Sequence, residues 1–138
     1  MTQPIALVTG GNRGIGLAIA QALTREGASV VVTYRSGTPP AGFNSVLMDV
    51  TSTESVEQGF AEIEEKYGTP EIIVANAGIT RDALVMRMSD QDFSEVLDAN
   101  LIGAFSRCSS CYTGTLEIET WSHNFPWFSR RKSWFCRT

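Results

Sequence analysis

Val8-Thr9-Gly10-Gly11-Asn12-Arg13-Gly14-Ile15-Gly16 follows directly on the apolar run Ile5-Ala6-Leu7-Val8 and opens a stretch with helical spacing. A strand that turns through glycines into a helix is a way to hold a dinucleotide diphosphate. The glycines let the backbone turn tightly and approach the phosphates, while the helix N-terminus offers free N–H groups and a partial positive charge. Gly10, Gly14 and Gly16 are spaced more widely than in the G-x-G-x-x-G fingerprint, so the spacing alone is a weak pattern. A glycine-rich strand-to-helix turn without a ligand is the alternative at this point.

Outward from this turn, strands and helices succeed one another. Ile5–Val8 reads as a strand buried on both faces, as in a parallel sheet. Ile15, Ile19 and Leu23 give helical spacing that Gly27 closes. Residues 30–34 are a β-branched strand, and after a loop with Gly37, Pro39, Pro40 and Gly42 a short strand covers 45–48. Thr51-Ser52-Thr53 precedes a helix with Val56, Phe60 and Ile63 on its apolar face, and Gly68 ends it. Ile72–Ala75 reads as a fourth strand, and Ser89 or Asp90 caps a third helix through Phe93, Val96 and Leu97. Regular alternation of strand and helix predicts an α/β fold, the N-terminal half of a Rossmann-type doubly wound parallel sheet.

The 138 residues carry a net charge of −4, which argues against a general nucleic-acid binder. No run is long and apolar enough to span a bilayer, and the N-terminus enters a strand rather than an export signal, so a cytoplasmic protein is expected. The average hides a break. Residues 1–106 hold six Lys/Arg against thirteen Asp/Glu, whereas residues 107–138 hold five against two. All three cysteines, all three tryptophans and the single histidine fall in those last 32 residues. A boundary is therefore placed near Arg107, dividing 1–106 from a tail, 107–138, that shows neither helix nor strand period and is expected to be non-native or disordered.

With Gly10-x3-Gly14-x-Gly16, Asp49, Asn76-Ala77-Gly78 and Asn100 at these intervals, residues 1–106 resemble the N-terminal part of a short-chain dehydrogenase/reductase. The stretch Asn76-Ala77-Gly78-Ile79-Thr80-Arg81-Asp82-Ala83-Leu84-Val85-Met86-Arg87-Met88 narrows this to a resemblance to 3-oxoacyl-acyl-carrier-protein reductases of dissociated fatty-acid synthesis. The resemblance implies a cofactor diphosphate on Gly10, Gly14 and Gly16, with Asn12, Arg13 and Ile15 among the binding positions. It implies that Asp49 accepts a hydrogen bond from the adenine amino group, with Val50 beside it. Asn76-Ala77-Gly78 would line the nicotinamide-side ribose, and Asn100 would match the family asparagine that holds a water in the proton relay. On local grounds alone Asp49 also suits a turn cap, Asn76–Gly78 a plain strand-end turn, and Asn100 a helix end. The implied substrate is an acyl chain carried on acyl carrier protein. Another reductase of the family, acting on a different ketone or alcohol, and a non-catalytic nucleotide-binding fragment both stay open.

Charge points to the cofactor. An NAD-preferring site places an acid at the end of the second strand to bind the ribose 2′-hydroxyl. Tyr34-Arg35-Ser36 stands there instead, with Arg13 in the glycine loop, and two cations suit the 2′-phosphate of NADP(H).

The family donates the reaction's proton from a tyrosine helped by a lysine four residues later, beside a serine that polarises the carbonyl. Tyr34, Tyr67 and Tyr112 are followed at that distance by Thr38, Glu71 and Leu116, so no such pair occurs. The chain is expected to be catalytically incompetent, and to lack the later strands and the helices through which the family forms homo-oligomers. Reading residues 119–129 one nucleotide later forces Trp121 and Trp127 to glycine. Degenerate codons between and after them permit Arg-Ile-Ile-Phe-Leu and then serine, which is similar to the family's fifth strand and its serine. A frameshift near Arg107 is the expected origin of the tail. Cys108-x2-Cys111 with His123 and Cys136 could supply four soft zinc ligands, but they lack a finger-like pairing and no metal is expected.

Overall fold

The apolar runs on either side of the glycine turn pair with each other. The computed structural model describes residues 3–104. They form β1 (Ile5–Val8), α1 (Gly14–Arg25), β2 (Ser29–Tyr34), β3 (Asn44–Leu47), α2 (Thr53–Tyr67), β4 (Ile72–Val74) and α3 (Asp90–Leu97). A single 3₁₀ turn, Val85–Arg87, precedes α3, and a π-helical turn, Asp98–Ile102, follows it. The expected break near Arg107, the Cys108/Cys111/His123/Cys136 set, Tyr112 and the shifted-frame stretch lie outside the described residues.

All four strands are parallel, in the order β3-β2-β1-β4. The pleat turns alternate residues to opposite faces, and both faces are covered, which is why the strands read as continuous apolar runs. Leu7 and Val31 face α2, packing with Val46, Met48, Val56, Phe60 and Ile63. Ala6, Val8, Val30 and Val32 face the other way, against Ala20, Ile19 and Leu23 of α1. Helices on opposite faces of one parallel sheet make the doubly wound arrangement that the sequence predicts.

Two details differ from the sequence reading. Strand and helix do not alternate throughout, because β2 passes to β3 through a loop alone. Gly37 and Gly42 both have positive φ there and flank Pro39-Pro40, so no helix can form across it. The fourth strand ends at Val74 rather than Ala75, since the Asn76 N–H turns back onto the Val74 carbonyl at 3.0 Å. Among the described residues β4 pairs with β1 alone and forms the sheet edge. None of the described helices is long and apolar enough to cross a membrane.

This topology fixes where a ligand can sit. The chain leaves β1 toward β2 on one side and returns to β4 on the other. The connections at the C-terminal ends of β1 and β4 therefore part and leave a crevice.

Candidate functional site

A cavity of about 540 Å³ fills that crevice, walled mainly by segments that leave the C-terminal ends of the strands. Gly10, Asn12, Arg13, Gly14, Ile15 and Gly16 come after β1. Tyr34–Gly37 come from the end of β2, Met48–Thr51 follow β3, and Asn76–Ile79 follow β4, with Ala99 reaching in from the π-helical turn. The structure thus gathers all twelve positions singled out in sequence for cofactor contact. Asn100 is not on the wall, but stands directly behind it.

The floor of the cavity is the start of α1, and its chemistry follows from what is missing there. The α1 N-cap is Arg13, with no side-chain cap and no acid in the first turn. By contrast, Ser52 accepts from the Ser55 N–H at the start of α2, and Ser89 and Asp92 form a capping box on α3. Among the described helices, α2 and α3 each have a first-turn donor met by a side chain, whereas the uncapped first turn of α1 lines the cavity. The backbone can come this close only through glycine. Gly10 sits at φ +64°, and a Cβ on Gly16 would collide with the Gly10 carbonyl oxygen and the Asn76 amide.

Thr9 and Asn76 lock the glycine loop to β4. The Thr9 hydroxyl accepts from the N–H groups of Asn76 and Ala77, both at 3.0 Å, and faces the Val74 carbonyl at 3.4 Å. In return Asn76 Nδ2 donates to the carbonyls of Thr9 at 3.0 Å and Gly10 at 3.3 Å. Asn76 is therefore more than a strand-end turn residue: it sets the height of the loop above the sheet. Sequence reasoning gave Thr9 no role, although a hydroxyl immediately before the first glycine was the available signal.

On the opposite wall, Asp49 Oδ1 accepts from the Thr51 N–H at 2.9 Å and from the Thr51 hydroxyl at 2.7 Å. Burial works to raise its pKa, but the two Thr51 donors and the nearby Arg35 charge outweigh it and hold the carboxyl below its ordinary value. Asp49 thus caps its own turn and also faces the cavity. Arg13 and Arg35 are both exposed cations at the cavity wall, and no acid stands at the end of β2.

Asn100 lies in the π-helical turn, and its amide forms a reciprocal pair with the backbone of Ile79. Oδ1 accepts from the Ile79 N–H and Nδ2 donates to the Ile79 carbonyl, each at 3.0 Å. The segment after β4 is thereby tied to the helix that follows it. Arg81 reinforces this tie with an exposed ion pair to Glu95 at 3.1 Å.

The comparisons agree with this architecture. The model of the family described as short chain dehydrogenase matches residues 4–117. A 3-oxoacyl-[acyl-carrier-protein] reductase, MabA, of Mycobacterium avium is 52% identical over 99 residues, covering 72% of this chain and 39% of that protein. A reductase of the same description, FabG of Vibrio harveyi, is 37% identical over 121 residues, or 82% of this chain and 50% of the relative. The chain thus spans half or less of the length of these relatives. Ligand-free aldohexose dehydrogenase of Thermoplasma acidophilum superposes with a TM-score of 0.75 at 28% identity, covering 80% of this chain and 44% of that one. An uncapped helix behind a glycine turn, an asparagine brace to the fourth strand and a family match across most of the sequence lead to one conclusion: the chain belongs to the short-chain dehydrogenase family.

Proposed function

We propose that residues 3–104 are the cofactor-holding part of an NADP(H)-dependent reductase that converts 3-oxoacyl-acyl-carrier-protein to the 3-hydroxyacyl form. The observation that carries this is the cavity at the β1/β4 switch point, floored by an uncapped helix and flanked by Arg13 and Arg35. The residues fit a dinucleotide. Gly10, Gly14 and Gly16 clear the space a diphosphate needs, and the α1 N–H groups face it. Arg13 and Arg35 suit a 2′-phosphate that an acid in their place would repel. Asp49 offers an acceptor to the adenine amino group beside Val50, and Asn76, Ala77 and Gly78 line the way to the nicotinamide-side ribose. When bound, the cofactor supplies the hydride.

Asn100 contributes through position. Both ends of its amide are taken by Ile79. Each end still has one site free, a lone pair on Oδ1 and an N–H on Nδ2, so the residue retains the capacity to hold a water in a proton relay. No Tyr-x-x-x-Lys pair occurs in the 138 residues, so this chain by itself binds cofactor without turning substrate over. The acyl-carrier-protein substrate rests on sequence likeness to MabA and FabG. Another ketone or alcohol is the second reading, because the same half-fold occurs in an aldohexose dehydrogenase.

Calorimetric titration tests the cofactor assignment. NADPH should bind about tenfold or more tightly than NADH, the scale of one charge-assisted contact, and Arg35→Asp should reverse or abolish the preference. Equal affinities, unchanged by the substitution, would reject NADP(H). A turnover on a 3-oxoacyl substrate comparable with full-length family members would reject the inactivity.

A further inference from the structure

We infer that Thr51 is a positioning residue, which orients the Asp49 carboxylate so that the cavity selects a 6-aminopurine over a 6-oxopurine. This rests on the reading of the cavity as an adenine-dinucleotide site.

The geometry is local and over-determined. Thr51 places both of its donors, the backbone N–H at 2.9 Å and the hydroxyl at 2.7 Å, on the same oxygen, Asp49 Oδ1. The Asp49 backbone is held as well. Its N–H donates to Ser55 Oγ at 2.9 Å, and its carbonyl accepts from the Ser52 N–H at 3.2 Å. A carboxylate pinned at one oxygen and at its own backbone has its plane fixed, which places the second oxygen. Asp49 Oδ2 accepts no hydrogen bond from the described residues, and both Asp49 and Thr51 line the cavity.

The chemical consequence is a choice between bases. A carboxylate held ionised is an acceptor only. It pairs with the exocyclic amino group of adenine and opposes the exocyclic carbonyl of hypoxanthine, where two acceptors would meet. A carboxylate free to rotate would swing away from the carbonyl and discriminate less. Thr51 therefore acts on selectivity through Asp49, without touching the base.

Replacing Asp49 by asparagine sharpens the argument. The two Thr51 donors can be met only by the amide oxygen, so the amide nitrogen must turn outward. A donor would then stand where the wild-type chain offers an acceptor, and the preference between bases would invert.

The test uses the full 138-residue chain, with dissociation constants for NADPH and for its hypoxanthine analogue measured by calorimetry. The readout is their ratio, which a general loss of structure would not move in one direction. The wild-type chain should favour NADPH by about tenfold, the scale of one hydrogen bond to a charged group. Thr51→Val should cut that ratio by about threefold, and Thr51→Ser, which keeps the hydroxyl, should restore it. Asp49→Asn should favour the hypoxanthine form. An unchanged ratio in Thr51→Val, or no recovery in Thr51→Ser, overturns the role of Thr51. If the valine variant does not fold, Asp49→Asn decides: inversion supports the inference, and equal weakening of both nucleotides overturns it. Failure of the wild-type chain to bind either nucleotide overturns the dinucleotide reading and this inference together. NADPH binding with an unaffected ratio in the variants overturns the inference alone.

Discussion

Thr9 gives one side chain three tasks, and they explain why its hydroxyl is needed. It accepts from two consecutive backbone N–H groups, Asn76 and Ala77, at a point where β4 has already left the ladder. Thr9→Val keeps shape and removes both acceptances, leaving the Ala77 N–H without its partner next to a fully buried residue, while the Asn76 N–H keeps only the Val74 carbonyl. The expected cost is about 1–3 kcal/mol in denaturant unfolding, with weakened nucleotide binding because the glycine loop loses its height. An unchanged midpoint would show that the Ala77 N–H finds another partner. Asp49 gives a pH signature. Its folded pKa is depressed, so its contribution is present above the ordinary carboxylate value and is lost as pH falls through the folded one. The wild-type chain should melt above Asp49→Asn near neutral pH, and the gap should close as the pH falls below the ordinary carboxylate range. A gap that widens on acidification would contradict this. At this scale the sequence showed which residues face the cavity, because glycine, asparagine and aspartate stand at strand ends in telling spacings. It did not show which atoms do the holding. Thr9 and Thr51 act through hydrogen bonds whose partners are set by the path of the backbone, and a threonine at a turn carries no such label.

Helix ends carry the next level of information. The helix starts at Thr51-Ser52-Thr53 and at Ser89 or Asp90 were readable because small polar residues precede an apolar period, and Ser52 and Ser89 are the ones that cap in the structure. Ser89→Ala should cost about 1 kcal/mol, since it removes the acceptor for the Asp92 N–H and half of the capping box. Amide exchange in the first turn of α3 should speed up while β1 and β2 stay protected. Uniform acceleration across the sheet would mean that the cap supports the whole fold instead. The π-helical turn was not legible. Asp98-Ala99-Asn100-Leu101-Ile102 continues the helical spacing of α3, and the departure accompanies a pairing of Asn100 with Ile79, 21 residues earlier. The missing helix between β2 and β3 was legible locally, in Gly37, Pro39, Pro40 and Gly42. The expectation of regular alternation overrode it.

At the scale of the molecule, the sheet is well covered and the α3 side is not. Val85 and Met86 are about nine-tenths exposed, and Phe93 and Leu101 are more than half exposed. Apolar surface of this kind favours association. The chain should therefore self-associate in a concentration-dependent way, as read by light scattering, and Leu101→Lys with Phe93→Lys should reduce it. A wild-type chain that stays monomeric at high concentration would count against this. The doubly wound order could be read in advance because it needs only the sequence of apolar runs and the sites where glycine turns them.

The open start of α1 has a consequence for the energetics of the whole chain. Among the described helices, α2 and α3 carry side-chain caps and α1 does not, so on the proposed function folding would be coupled to nucleotide activity as well as temperature. Free energy of binding adds to free energy of folding, reaching about 2.7 kcal/mol at a ligand concentration a hundredfold above its dissociation constant. The unfolding temperature of this chain should accordingly climb with the logarithm of NADPH concentration without levelling off at saturation. On the proposed function, the fold would act as a gauge of the nucleotide.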